Sequence, residues 1–342
     1  MQQFSLSANI EEGQNKDFNY IVTPNAHEVA SGIVNGYNSG IHSFTIIGSY
    51  GTGKSCFLLA LEKDLQSKGQ HNLINPQTLS SCKKYEVLKI VGDYKDLASL
   101  MRNKLAIDGT ADNVLDELRN RYNQAKKRGS FLIIFIDEFG KVLEHAAKND
   151  PEQELYFMQK LAEFVNVPTR QILLVTTLHQ NFSAYARKLS SVQKEEWNKV
   201  KGRFKELVFI EPVEQLLYLA SKQNGLCKDL GENASGLNKL CQLAKNTKFV
   251  SDGLSYETTE ALYPLEPFSA YAITQAIQRY GQNERSLFSF LNTKGANSLC
   301  EYEDGFYGLA NCYDYILHNF YSDLKDANAD SMQWSSMQVA LE

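Results

Sequence analysis

Between Gly48 and Ser55 the chain reads G-S-Y-G-T-G-K-S, and this loop limits the fold more than any other stretch. It fits G-x-x-x-x-G-K-[S/T] at every fixed position. The apolar run Ile41–Ile47 (IHSFTII) precedes it and Lys54–Gln66 follows with helical spacing, so the loop joins a strand to a helix. Glycines let such a loop curl until successive backbone N–H groups point inward at phosphate oxygens. The helix N-terminus beyond adds unpaired donors and a favourable dipole. Gly48, Ser49, Tyr50, Gly51, Thr52, Gly53, Lys54, Ser55 and Cys56 are therefore the candidate nucleotide-binding residues. Lys54 can reach the β- and γ-phosphates, and the Ser55 hydroxyl can ligate Mg²⁺. A Gly/Ser-rich turn that matches by chance is the bland alternative, and the flanking strand and helix argue against it.

Further apolar runs extend the pattern. Tyr85–Val91, Phe131–Ile136 (FLIIFI), Gln171–Thr177 and Glu206–Ile210 read as strands, and FLIIFI suits one buried on both faces. Helical spacing falls at Lys95–Leu105, Asn113–Lys127 and Glu152–Val165, between those strands. Such alternation predicts an α/β fold: a parallel sheet with helices on both faces. After Glu211-Pro212 the texture changes to helical patterns at Val213–Gln223, Leu237–Lys245, Phe268–Tyr280 and Glu284–Leu291. A domain boundary is expected near Glu211, with the phosphate-loop domain over 1–211 before it.

FLIIFI runs straight into Asp137-Glu138. An acid at the C-terminal end of a buried parallel strand stands where α/β sheets bind ligands. There Asp137 would hold the Mg²⁺ shell and Glu138 would polarise an attacking water. The rival reading makes Asp137 a cap of the next helix. At the end of Gln171–Thr177, His179 or Thr177 could contact a γ-phosphate, or His179 could simply close the strand. Arg203 follows Gly202 in a basic stretch with Lys199, Lys201 and Lys205. It reads either as an arginine supplied to a neighbouring subunit's phosphate or as part of a solvated or nucleic-acid-binding face. Arg285, in N-E-R at 283–285, is either a nucleotide contact or an ordinary helix arginine.

Taken together, these residues resemble an AAA+ ATPase. The phosphate loop, I-D-E-F at 136–139, T-T-L-H at 176–179, G-R-F at 202–204 and N-E-R at 283–285 fall in that family's order. The nearest look is to the replication-initiator and STAND-like clades. D-E-F-G-K-V-L-E at 137–144, L-H-Q-N-F at 178–182 and E-W-N-K-V-K-G-R-F at 196–204 also resemble large bacterial anti-phage defence ATPases. The resemblance spans about Asn19 to Leu291 and implies ATP and Mg²⁺ as ligands. It implies His179 (or Thr177) as the first sensor, Arg203 as arginine finger and Arg285 as second sensor. It implies nucleotide-dependent homo-oligomers, an effector protein as a further partner, a small all-helical lid over 212–295, and the start of a further, winged-helix domain over 296–342. The family's usual first sensor is Asn, so His179 departs from it. No substrate-translocating pore motif is present.

Composition narrows the remaining choices. Lys and Arg number 35 against 40 Asp and Glu, a formal charge of −5, so the chain as a whole does not attract nucleic acid. The local stretch Lys199–Lys205 keeps a DNA-loading or DNA-remodelling reading open; a slow nucleotide-gated scaffold is the third reading. The six cysteines include no C-x-x-C pair, and their spacing suits reduced thiols. Without a signal peptide or a run near the roughly 20 apolar residues a span needs, the expectation is a cytoplasmic protein and no membrane partner. No guanine-selective N-K-x-D pattern occurs, which leaves ATP as the default nucleotide. Trp334, Met337 and Leu341 line one face of a closing helix, expected either to continue into a longer protein or to dock back on Tyr313–Leu324.

Overall fold

The run Phe131–Ile136 becomes the heart of an internal strand in the computed structural model of the chain. The structure describes residues 9–11, 20–67, 70–149, 151–222, 229–281, 287–292, 294, 297–303, 305–325 and 331–341. Residue contacts divide the chain into two units, one of Ala8–Ser49 and Gly53–Ile210, the other including Tyr50–Thr52 and Glu211–Glu342.

The first unit holds strands β1 (Ser43–Ile47), β2 (Lys84–Val91), β3 (Ser130–Asp137), β4 (Ile172–Leu178) and β5 (Lys205–Val208). They form one sheet in the order β2-β3-β4-β1-β5, and every pairing is parallel. Its helices are α1 (Pro24–Asn38), α2 (Lys54–Ser67), α3 (Pro76–Leu79), α4 (Leu97–Leu105), α5 (Ala111–Lys127), α6 (Phe139–Lys148), α7 (Pro151–Val165), α8 (Phe182–Tyr185) and α9 (Ser191–Lys201).

Strand periodicity explains why both faces need helices. Leu132, Ile134 and Ile136 of β3 pack in one apolar cluster, with residues of α4 to α9. Phe131, Ile133 and Phe135, one position out of phase, pack in the other, with α1 and α2. Each such side chain contributes about 1.5–3 kcal/mol by leaving water, so a one-residue slip of β3 would disrupt both clusters. This is the α/β architecture that the AAA+ resemblance implies.

The second unit holds α10 (Val213–Ser221), α11 (Ala234–Asn246), α12 (Tyr256–Ala261), α13 (Pro267–Tyr280), α14 (Leu287–Asn292), α15 (Leu309–Lys325) and α16 (Ser331–Leu341). A single apolar cluster runs through it from Val213 to Leu324. No strand occurs among its described residues, only an isolated bridge between Leu265 and Tyr307. The segment expected to open a winged-helix domain thus shares its core with the helices expected to form the lid. The closing helix packs back on α15 and α13: Trp334 stacks on Tyr313 at 6.1 Å and its Nε1 donates to Tyr280 Oη at 3.2 Å. Among the described residues, no helix is long and apolar enough to cross a membrane.

Candidate active site

β1 delivers the phosphate loop to the C-terminal edge of the sheet. The Gly48 amide donates to the Leu178 carbonyl at 3.0 Å, tying the loop's start to the end of β4. Gly51 and Gly53 take φ of 71° and 92°, a region that side chains resist, and this is what the pattern's glycines are for. Tyr50 is half-buried, Gly51 exposed and Thr52 buried. Lys54, Ser55 and Cys56 form the first turn of α2, all half-buried. Lys54 Nζ donates to the Gly48 carbonyl at 2.6 Å and the Ser49 carbonyl at 2.8 Å. Burial pushes its pKa down to about 8, against the opposing pull of Asp137 and Glu138. The Cys56 thiol is pushed up to about 11, by burial first and by Asp137 second, so it stays protonated and uncharged.

Asp137 ends β3 and is buried. Its Oδ1 accepts from Thr177 Oγ1 at 2.5 Å and from the Glu138 amide at 3.1 Å. The Glu138 amide also donates to Thr177 Oγ1 at 3.0 Å. Thr177 therefore orients the acid at the end of the neighbouring strand, where the sequence offered it as an alternative phosphate sensor. The rival capping role is not seen either: Glu138, not Asp137, occupies the N-cap position of α6, without a side-chain capping bond. Glu138 adopts a left-handed φ of 51°, a strained conformation for a residue with a side chain, and its Oε2 lies 2.5 Å from Lys141 Nζ.

His179 follows β4. Tyr185 Oη lies 3.1 Å from its Nδ1, and Glu144 Oε1 3.9 Å from its Nε2. Burial, with the nearby Lys54 charge second, lowers its pKa to about 4, so the ring is neutral near pH 7. Gly140 leaves the room that ring needs, since a Cβ there would meet Tyr185 Oη and His179 Cε1. Tyr185 and Gly140 were missed by sequence reasoning. The glycine after D-E-F was a usable signal, whereas nothing marked a tyrosine on a four-residue helix.

The sheet brings Lys54, Asp137, Glu138 and His179 together and keeps Arg203 apart. Arg203 lies just before β5, at the N-terminal edge, where its carbonyl accepts from Ser43 Oγ at 2.6 Å and Asn166 Nδ2 at 2.9 Å. Its Nη2 donates to Glu163 Oε1 at 2.6 Å. The basic stretch around it is largely paired: Lys199 with Glu196 at 2.5 Å, Lys201 with Glu206 at 3.9 Å. Arg285 lies outside the described residues.

No group of three or more His, Cys, Asp or Glu residues suited to hold a metal occurs among the described residues. Ser55 and Asp137 supply one hydroxyl and one carboxylate, and Mg²⁺ commonly binds through one or two carboxylates, substrate phosphates and several waters. Both described hydrogen bonds to the Asp137 carboxylate fall on Oδ1, fixing how the group faces the loop.

No family model matches the chain, and no curated protein matches it in sequence. Low-level similarity to solved structures exists. The Aeropyrum pernix ORC2 protein, solved as ADPNP-ADP complexes, aligns at 16% identity with a TM-score of 0.41, over 71% of this chain and 69% of that one. PCH-2 of C. elegans aligns at 15% identity and a TM-score of 0.38, over 89% and 71%. Domain III of the Thermotoga maritima replication initiation protein DnaA aligns at 15% identity and a TM-score of 0.36, over 72% and 95%. What defines the fold is this chain's own strand order and the placement of its loop.

Proposed function

We propose that the chain is an ATPase module of the AAA+ type that couples nucleotide binding and hydrolysis to assembly of several copies. The observation that carries this reading is one cluster of strand ends: Gly48 at the start of the loop bonds Leu178, the residue before His179, and Thr177 bonds both Asp137 and the Glu138 amide. Three different strand ends supply these groups, as a phosphoryl-transfer site requires. Lys54 and the loop amides would hold the β- and γ-phosphates. Ser55 and Asp137 would hold Mg²⁺, which neutralises phosphate charge. Glu138 would take the proton of the attacking water, and neutral His179 would contact the γ-phosphate. Arg203 stands a strand-length, about 15 Å, from the loop of its own chain, so its phosphate partner would belong to a second copy. Residues 1–211 would form the ATPase domain, and the helices after them a lid and a further segment, with Arg285 on the lid. The setting that the resemblance implies, anti-phage defence or DNA maintenance, would supply the effector.

The test is Mg²⁺-dependent ATP turnover and nucleotide affinity, with and without duplex DNA, in wild type and Lys54→Ala. Lys54→Ala should weaken nucleotide binding by about 10²-fold or more, since it removes the charge facing the phosphates. Unchanged affinity in that variant rules out the loop as the phosphate site. DNA should leave the rate unchanged, because the chain carries a formal charge of −5; stimulation by DNA would favour the DNA-remodelling reading instead.

A further inference from the structure

Arg203 is fixed at both its backbone and its side chain. Ser43, whose hydroxyl grips the Arg203 carbonyl, is fully buried, and Asn166 Nδ2 bonds both that hydroxyl at 2.6 Å and the same carbonyl. The Arg203 amide donates to the Val200 carbonyl at 3.0 Å. On the side chain, Nη1 donates to the Lys199 carbonyl at 2.8 Å and Nη2 to Glu163 Oε1. Glu163 is itself held: Gln159 Nε2 donates to Oε1 at 3.0 Å, and Lys160 Nζ lies 3.5 Å from Oε2. These donors, Arg203 first, keep its carboxyl below the usual carboxylate range. A simple solvated arginine needs none of this. A guanidinium has five N–H donors in a rigid plane, and the two bonds described leave three for another acceptor.

We infer that Glu163 is a positioning residue, which together with the Lys199 carbonyl fixes the plane of the Arg203 guanidinium for the nucleotide phosphate of a second copy of this chain. The inference rests on the proposed trans role of Arg203. An anchored guanidinium loses less rotamer freedom when it meets a phosphate than a free one does. Glu163 never touches nucleotide; it sets how much of the time Arg203 points correctly. Its loss should therefore lower turnover and leave ground-state nucleotide binding alone.

The experiment uses the full chain and four variants: Glu163→Ala, Glu163→Gln, Arg203→Ala and Glu138→Gln. Glu163→Ala should lower kcat about tenfold, the loss of one charge-assisted hydrogen bond, with KM for ATP within about twofold of wild type. Glu163→Gln keeps an acceptor oxygen and should recover most of that loss. Mixing Glu163→Ala with Glu138→Gln should raise activity above either alone, because Glu138→Gln subunits supply an intact Glu163–Arg203 pair. A merely structural defect in Glu163→Ala would stay with its own subunit and show no recovery in the mixture. Impaired Arg203→Ala beside wild-type or raised turnover in Glu163→Ala would overturn the positioning role alone. Wild-type turnover in Arg203→Ala would remove the trans reading, and this inference with it.

Discussion

At the C-terminal rim of the sheet Lys54, Asp137, Glu138 and His179 crowd together, and burial moves the pKa of Lys54 to about 8 and of His179 to about 4. At the N-terminal rim, one strand-length away, Arg203 is bound to Ser43, Asn166, Lys199 and Glu163. The same strands build both rims, and the chemistry differs because the demands differ. The first rim gathers charges of both signs in a partly buried cluster, and desolvation makes each interaction worth more. The second pairs its charge within the chain, through two described bonds out of the five donors of the guanidinium. That contrast is what a site completed by two copies would show, with one rim receiving phosphate and the other offering a guanidinium.

The largest blow to this comparison comes at the first rim. Glu138→Gln should keep nucleotide affinity near wild type and lower turnover about 10³-fold, since it removes only the group that takes the proton of water. Turnover near wild type would take Glu138 out of the chemistry and leave Asp137 as the acid to examine. At the second rim Arg203→Ala should lower turnover about 10³-fold, and wild-type activity per subunit should rise with protein concentration. An equal mixture of Arg203→Ala and Glu138→Gln should recover part of the activity, each supplying the rim the other lacks. Concentration-independent turnover with no recovery would make the two rims unrelated.

The two rims were unequally legible in the sequence. The first could be read because its residues adjoin their strands: the loop follows IHSFTII, Asp137-Glu138 follows FLIIFI, and His179 follows QILLVTT. The internal strands could be read for the same reason, since burial on both faces demands unbroken apolar runs. At the second rim Arg203 could be singled out but not its partner, because Glu163 and Arg203 are 40 residues apart and their pairing depends on how α7 packs against α9. Nor did any local pattern show that Thr177 would turn from phosphate towards Asp137 on the next strand. Helices α1 and α6 were also missed. The apolar face of α1 (Ala26, Val29, Ala30, Ile33) is interrupted by small and polar residues, and α6 begins inside a motif that had already been read as chemistry.

The smallest expected effect concerns protons and separates the rims in a different way. His179 at the first rim and His42 at the second both have pKa values lowered by burial. His42 is fully buried, stacked on Tyr37 at 4.2 Å, and its Nδ1 has no hydrogen-bond partner among the described residues. A lowered histidine pKa means that the unfolded chain takes up a proton near pH 6.5 while the folded chain refuses it until lower pH. Stability is then full above pH 6.5 and falls as pH drops below it, because the unfolded state binds more protons. Glu86 and Glu163, whose pKa values are also lowered, lose their stabilising contribution only below about pH 4.5, so they do not confuse this window. Between pH 6.5 and pH 5 the melting temperature should fall by roughly 2–4 °C per kcal/mol of this linkage. His42→Phe keeps the stack on Tyr37 and removes the proton site; His179→Gln removes the other. Each should flatten part of the slope, measured by thermal unfolding at fixed ionic strength. Only His179→Gln should also change turnover, because only that histidine lies at the rim with the phosphate loop. A slope untouched by both variants would show that neither histidine is held neutral by its surroundings, and the electrostatic contrast between the rims would then rest on Lys54 alone.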